Sequence, residues 1–163
     1  MSSVFTEVIG AQRRILDSLV DCESRIEALY QKFAVAFPRF AEFWEGLACE
    51  ERRHVHALKS MHSFLERGQL FQNIGRFDQQ KVDGLLAILE EADQNVTTDK
   101  MESSEAFAMA LRLECSLVES RFYVDVTSDA PAFSAVCRVL RAETEQHVAK
   151  LHVATKAARD RSC

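Results

Sequence analysis

The sequence predicts an all-α fold, an antiparallel four-helix bundle with one long crossover that contains a short extra helix between helices 2 and 3. Three observations predict it. Only five Gly and two Pro occur in 163 residues, too little punctuation for a protein built of strands and hairpins. Apolar residues recur at helical spacing through four long stretches. The joins within the first and second pairs of stretches are short, whereas the middle connection runs to about 35 residues. That asymmetry is the topology of a bundle with a single long crossover.

The first helix is read from about Val4 to Phe37, where Pro38 stops it. Proline has no N–H to give and pushes the residue before it away from the helical region. The second runs from about Arg39 to Arg67 and ends at Gly68, a residue type favoured just past a helix C-terminus. The crossover, Gln69 to Ser103, holds the amphipathic stretch Lys81–Ala92. The third helix covers about Ser104 to Val126, and the fourth starts near Ala130-Pro131 and continues to about Arg159. Pro131 suits a first-turn position, with Ser128 or Asp129 as its cap. The length fits one domain over residues 1–163, with room for a sizeable core.

Composition narrows the function classes. Apolar residues make up 47% and charged residues 28%, as expected of a soluble globular chain. The net charge is −5 and no basic stripe stands out, which argues against nucleic acid as a partner. No secretory leader is read, and no apolar run approaches the roughly 18 residues of a membrane span, so no membrane partner is expected. Five cysteines without a CxxC pair indicate neither a disulfide framework nor a thiolate metal site, and a reducing cytoplasm is the expected compartment.

The chemistry concentrates in Glu51-Arg-Arg-His54. Its carboxylate and imidazole sit one helical turn apart, on the side where Trp44, Leu47, Val55 and Leu58 also point. A carboxylate aimed into an apolar core needs a partner, because an unpaired buried charge costs several kcal/mol or more; a metal ion is one such partner. In the first helix Glu23 lies within the stripe of Leu16, Leu19, Val20, Ile26 and Tyr30, with Glu27 one turn away. In the third, Glu114 lies among Phe107, Ala110, Leu111 and Leu117. In the fourth, His147 shares a face with Leu140, Glu143, Thr144 and Leu151. The run Leu47–Val55 also aligns without a gap on Leu140–Val148, matching Leu, Glu50 with Glu143, His and Val. This is a weak internal repeat.

Carboxylate oxygens with an imidazole suit hard or borderline ions, above all iron, with manganese or zinc as alternatives. The two-metal bundle pattern takes one Glu from each of two helices and a Glu-x-x-His from each of the other two. Glu23 and Glu114 fit the single positions and Glu51 with His54 fits the first pair. His147 fits half of the second, whose other half is Thr144. Glu143 is one residue off and reaches inward only if its helix rotates or bulges. The competing reading of each buried carboxylate is an acid satisfied across the bundle by Tyr, Arg or His, with Arg121 as such a partner for Glu114. His56 reads as a surface residue, His62 as a core histidine, and Cys22 and Cys115 as packing residues turned about 100° from the neighbouring glutamates.

Cys22–Ala34, with Glu23 seven residues before Tyr30, resembles the first-helix motif of rubrerythrin-like proteins. Leu47–His54 resembles their second-helix motif and Ala110–Glu114 their third. The resemblance spans nearly the whole chain and implies a ferritin-like di-iron bundle that packs as a homodimer. It implies Glu23, Glu51, His54, Glu114 and His147 as metal ligands, Tyr30 as a hydrogen-bond donor behind them, and a ferroxidase or a peroxide- or oxygen-reducing oxidoreductase as the activity. Three departures stand against the family pattern: Thr144 in place of a carboxylate, Leu117 in place of a further Glu, and no Cys-rich rubredoxin segment in the chain. The alternative expectation is a non-catalytic bundle whose site holds one ion or none and which acts as a dimeric structural or sensory module.

Overall fold

Helix α1 (Ser3–Ala36) ends where Pro38 opens a 3-10 turn, Pro38–Phe40, and α2 (Ala41–Glu66) starts at once. The tight turn lays α2 back along α1. Arg13 meets Glu66, Asp17 meets His62 and Glu27 meets Arg52, so the partner's number falls as the first rises, as in an antiparallel hairpin. These pairs are at or near the surface and add little stability. They record the register that the buried stripes impose.

The computed structural model describes residues 3–69, 71–72, 78–97, 101–120, 122–125, 127–128 and 130–160. It is almost entirely α-helical. After α2 the chain passes through β1 (Phe71–Gln72) to α3 (Gln79–Thr97), then α4 (Ser103–Ser120), the short α5 (Phe122–Asp125), β2 (Thr127–Ser128) and α6 (Pro131–Asp160). The two strands pair antiparallel, Phe71 opposite Ser128 and Gln72 opposite Thr127, and tie the crossover to the link before α6. Helix α3 extends past both ends of the Lys81–Ala92 stretch. It buries Val82, Leu85, Leu89, Ala92 and Val96, a face at helical spacing, and packs on α1 and α4. Helix α4 packs mainly on α6, and α6 also touches α2. Among the described residues, no helix is long and apolar enough to cross a membrane.

Pro131 opens α6 as expected, and the Ser128 hydroxyl accepts the Ala130 N–H at 3.2 Å. Asp129, the other cap candidate, and Arg121, the candidate partner for Glu114, lie outside the described residues. Of the third helix, expected to run to Val126, the described residues form α4 to Ser120 and α5 from Phe122 to Asp125; Val126, like Arg121, lies outside them.

An aromatic cluster sits near the α1–α2 turn. Trp44 is fully buried and stacks on Phe107 of α4 at a centroid distance of 4.6 Å, with Phe33 of α1 at 5.0 Å and Tyr30 at 5.6 Å. Such side chains bring the largest apolar areas out of water, and here they lock three helices together, with Trp44 and Phe107 about two turns before Glu51 and Glu114 on their own helices.

Helix α2 ends in a Schellman motif. The Gly68 N–H donates to the Leu65 carbonyl and the Gln69 N–H to the Phe64 carbonyl, both at 2.9 Å, with Gly68 at φ +80°. A side chain is disfavoured at that φ although nothing lies within 4 Å of where its Cβ would stand. Gly68→Ala is therefore expected to destabilise the chain by about 1 kcal/mol through backbone strain alone, read by chemical denaturation.

Candidate metal centre

The periodicity that buries one stripe of each helix also drives polar side chains inward at the same level. Glu23 of α1, Glu51 and His54 of α2, Glu114 of α4 and His147 of α6 are each no more than 1% exposed. They form two groups, Glu23–Glu51–His54 and Glu51–Glu114–His147, in each of which one potential ligand atom per residue lies within 4.8 Å of the others. Glu51 belongs to both. Two three-residue groups sharing a central carboxylate are the arrangement that holds two ions side by side.

Within the first group His54 Nδ1 lies 3.0 Å from Glu51 Oε2 and 3.8 Å from Glu23 Oε2. Within the second, His147 Nδ1 lies 2.8 Å from Glu51 Oε1 and 3.4 Å from Glu114 Oε1. The two imidazole rings lie nearly parallel with centroids 5.4 Å apart.

Other side chains hold these groups from behind. The Tyr30 hydroxyl donates to Glu114 Oε1 at 2.7 Å, and the Tyr123 hydroxyl donates to Glu23 Oε1. The outer nitrogens of the histidines are held by a crossed pair of carboxylates. His54 Nε2 donates to Glu143 Oε2 of α6 at 2.9 Å, and His147 Nε2 to Glu50 Oε2 of α2 at 2.8 Å. Lys150 in turn donates to both oxygens of Glu50, at 2.8 and 2.7 Å. A carboxylate on the far nitrogen fixes which ring nitrogen faces inward and how the ring is turned.

Even so, the inner atoms are under-satisfied. The described residues contain five buried side-chain nitrogen or oxygen atoms without a hydrogen-bond partner. Four of them belong to this cluster: Glu23 Oε2, Glu51 Oε1, Glu114 Oε2 and His147 Nδ1. The contact between Glu51 Oε1 of α2 and His147 Nδ1 of α6 is close but off the line a hydrogen bond needs. Buried lone pairs left this way are costly, and they converge where a cation would satisfy them. The donor set therefore fits metal ions.

Without metal the cluster balances its charge with protons. Burial raises the Glu51 pKa from 4.5 to about 8, with the charges of Glu114 and Glu23 adding to it. Burial works against Glu23 too, but the nearby His54, Glu51 and the Tyr123 hydroxyl outweigh it and lower the pKa to about 2. For both histidines burial opposes the charged form and loses to the carboxylates, so His54 rises from 6.5 to about 11 and His147 to about 10. Burial and the facing Glu114 push Tyr30 well above its ordinary value, and burial with Glu23 does the same to Tyr123. Both phenols stay protonated and donate.

No family model matches this chain, and neither a curated protein nor a solved structure does. The geometry alone speaks for the site.

The structure thus brings together Glu23, Glu51, His54, Glu114 and His147, with Tyr30 behind Glu114. Glu143 is not brought into either group: its partly exposed carboxylate sits on the outer nitrogen of His54. Helix α6 neither rotates nor bulges to carry it inward, because Thr144 and His147 already occupy the buried face. Thr144 Oγ1 donates to the Leu140 carbonyl at 2.8 Å, one turn back along its own helix. Glu27 turns out to Arg52 at 2.8 Å. His56 and His152 are exposed, and half-buried His62 pairs with Asp17 at 3.2 Å rather than lying in the core. Two participants, Glu50 and Tyr123, were missed by sequence reasoning. Glu50 had a signal in its match to Glu143 in the internal repeat; Tyr123, in the short α5, had none.

The crossed pairs make a test. Glu143→Ala should leave His54 free to turn and weaken metal binding at that ion by roughly 10- to 100-fold, without loss of the second ion, as measured by competition with a chromophoric chelator.

Proposed function

We propose that the chain is a non-haem di-metal carboxylate protein with a ferritin-like four-helix architecture of α1, α2, α4 and α6, working as a ferroxidase or as an oxidoreductase that reduces dioxygen or peroxide. One observation carries the reading. Two buried Glu–Glu–His groups share Glu51, and four of their side-chain atoms have no hydrogen-bond partner.

Glu23, Glu51 and His54 would hold one ion, and Glu51, Glu114 and His147 the other. Mixed oxygen and imidazole ligation favours iron, with manganese next and zinc as a redox-silent occupant. Bound as Fe(II), such a pair supplies the electrons that reduce dioxygen or peroxide. Every ligand residue except Glu51 has a side chain outside the two groups that fixes its orientation, so the site is set before an ion enters. Tyr30 and Tyr123 each keep a proton on a ligand carboxylate's oxygen and hold it in place. Trp44 and Phe107 close the site toward the α1–α2 turn and exclude water on that side.

Elemental analysis after anaerobic reconstitution with Fe(II) tests the reading. Near two irons per chain, with oxygen or peroxide consumed on exposure, is the expected result. One ion or none sinks the two-metal proposal and leaves the chain as a non-catalytic binding module.

A further inference from the structure

Helix α6 carries a second apolar face, turned to the side opposite its buried residues Leu140, Thr144, His147 and Leu151. Val139, Gln146 and Val153 stand there seven residues apart, with Ala142 and Ala149 between them. Ala132 and Ala135 extend the row to the start of the helix. All but half-buried Ala135 are exposed, Val139 at 54% and Val153 at 72%. In heptad terms Ala132, Val139, Gln146 and Val153 take the a positions, and Ala135, Ala142 and Ala149 the d positions. No charge stands at any of them. An apolar heptad row of this length, flanked by charges, marks a helix that meets another helix.

Helix formation does not account for the row. Alanines alone would be ordinary on an exposed face, because alanine is the strongest helix former. Valine is a poor one and loses side-chain freedom in a helix, yet it recurs here at equivalent places. The outward faces of the other long helices are charged. Helix α1 shows Arg14, Asp21 and Arg25 to solvent, and α2 shows Glu42, Arg53 and Lys59.

The flanks say which partner fits. The g positions hold Arg138 and Glu145, and the e positions Glu143 and Lys150. Glu143, Glu145 and Lys150 each have a partner within the chain, and their side chains stay 30–48% exposed. In a parallel pair of helices a g residue faces the e residue five further on in the other helix. A second α6 laid parallel and in register therefore sets Arg138 against Glu143 of the second copy, and Glu145 against Lys150 of the second copy. The two-fold axis makes each pair twice, and no like charges face each other. Gln146 meets its own equivalent, the single polar a position that fixes register, and β-branched valine at a favours two strands. An antiparallel pair turned about Thr144, the register closest to the middle of the row, instead sets Glu143 against Glu143 and Glu145 against Glu145.

We propose that two copies of this chain pair through the outward face of α6, from Ala132 to Val153, parallel and in register. The inference is independent of the two-metal reading. It has a consequence for the cluster all the same, since Glu143 holds His54 and Lys150 holds the Glu50 behind His147. Each copy would lay Arg138 and Glu145 against the groups that brace the other's histidines.

Sedimentation of the full chain across micromolar concentrations tests the pairing, with a mass twice the 18.5 kDa of one chain as the expected result. Val139→Glu and Val153→Glu should each weaken the dimer roughly tenfold or more by placing like charges in the seam, at unchanged helicity by circular dichroism. Val35→Glu, at an 82% exposed position of α1, should leave it intact. Orientation is read by mild oxidation of Val139→Cys and Val153→Cys, each in a Cys49→Ser, Cys163→Ser background. Parallel pairing sets each new thiol against its own equivalent, so both variants should give disulfide-linked dimers. This second measurement carries the test if a glutamate variant does not fold. A monomer at every concentration overturns the inference, as does a dimer that both glutamate variants leave intact. A dimer in which neither thiol variant links to itself overturns the parallel register.

Discussion

Glu51→Ala is expected to remove both metal ions and, with them, the whole metal-dependent gain in thermal stability. Glu51 is the one residue common to the two groups, so its loss takes an oxygen ligand from each ion at once. An ion that binds only the folded chain stabilises it by about 2.7 kcal/mol when free metal is a hundred times Kd. For a chain of this size that is roughly 5–11 °C in Tm per ion. In metal-free protein the same change should be mild, on the order of 1–2 kcal/mol in either direction. It opens a small hole but also removes an acid that faces Glu23 and Glu114. Glu27→Ala is the matched control: that carboxylate turns outward to Arg52, so metal content and the metal-dependent Tm should hold. If Glu51→Ala unfolds no earlier than wild type with metal present, the assignment of Glu51 is wrong.

The inward residues were legible in the sequence because an amphipathic helix announces its buried face, and a charged residue in the middle of that face is conspicuous. Glu23, Glu51, His54, Glu114 and His147 each break an apolar stripe, and the structure places all five at one level. Periodicity gives direction but not reach. Glu143 and Thr144 differ by one residue, about 100° of helix, and which of them faces the centre depends on how α6 sits against α2. Once Thr144 and His147 take the inner face, Glu143 can meet only the outer nitrogen of His54. Tyr123 was hidden for a different reason. It lies in α5, whose four residues are too few to show a period that indicates where a side chain points. The strand pair between Phe71–Gln72 and Thr127–Ser128 was hidden likewise, since two residues have no pattern.

The repeat relating Leu47–Val55 to Leu140–Val148 acquires a physical meaning from the crossed pairs. Glu50 and Glu143 occupy equivalent places, and each orients the histidine of the other segment. The two helices are coupled reciprocally, so neither histidine can turn without disturbing a carboxylate on the opposite helix. At the inner position the equivalence fails, with Glu51 on one side and Thr144 on the other.

Metal uptake near neutral pH is expected to release up to three protons per chain, because Glu51, His54 and His147 hold protons there, with pKa values of about 8, 11 and 10. Ligands bind metal only after losing them, so loading should tighten steeply as pH rises from 6 to 8. Metal-free stability should run the other way. His54 and His147 titrate above their ordinary 6.5 in the folded chain, so their contribution is full below that value and is lost as pH rises through about 10 to 11. Glu51, raised from 4.5 to about 8, contributes fully below 4.5 and loses its share as pH rises through 8. Glu23, lowered to about 2, contributes above 4.5 and fails only as pH falls toward 2. The net result between pH 6 and 9 is a falling Tm in chelator and an increasing gain in Tm on adding metal at each step. Calorimetry in two buffers of different ionisation enthalpy counts the protons, and melting curves at both pH values supply the trends. A metal-free Tm that climbs from pH 6 to 9 would mean the carboxylates are not sharing protons with the histidines. The cluster would then be held together by something other than the charge balance that makes it ready to exchange protons for metal.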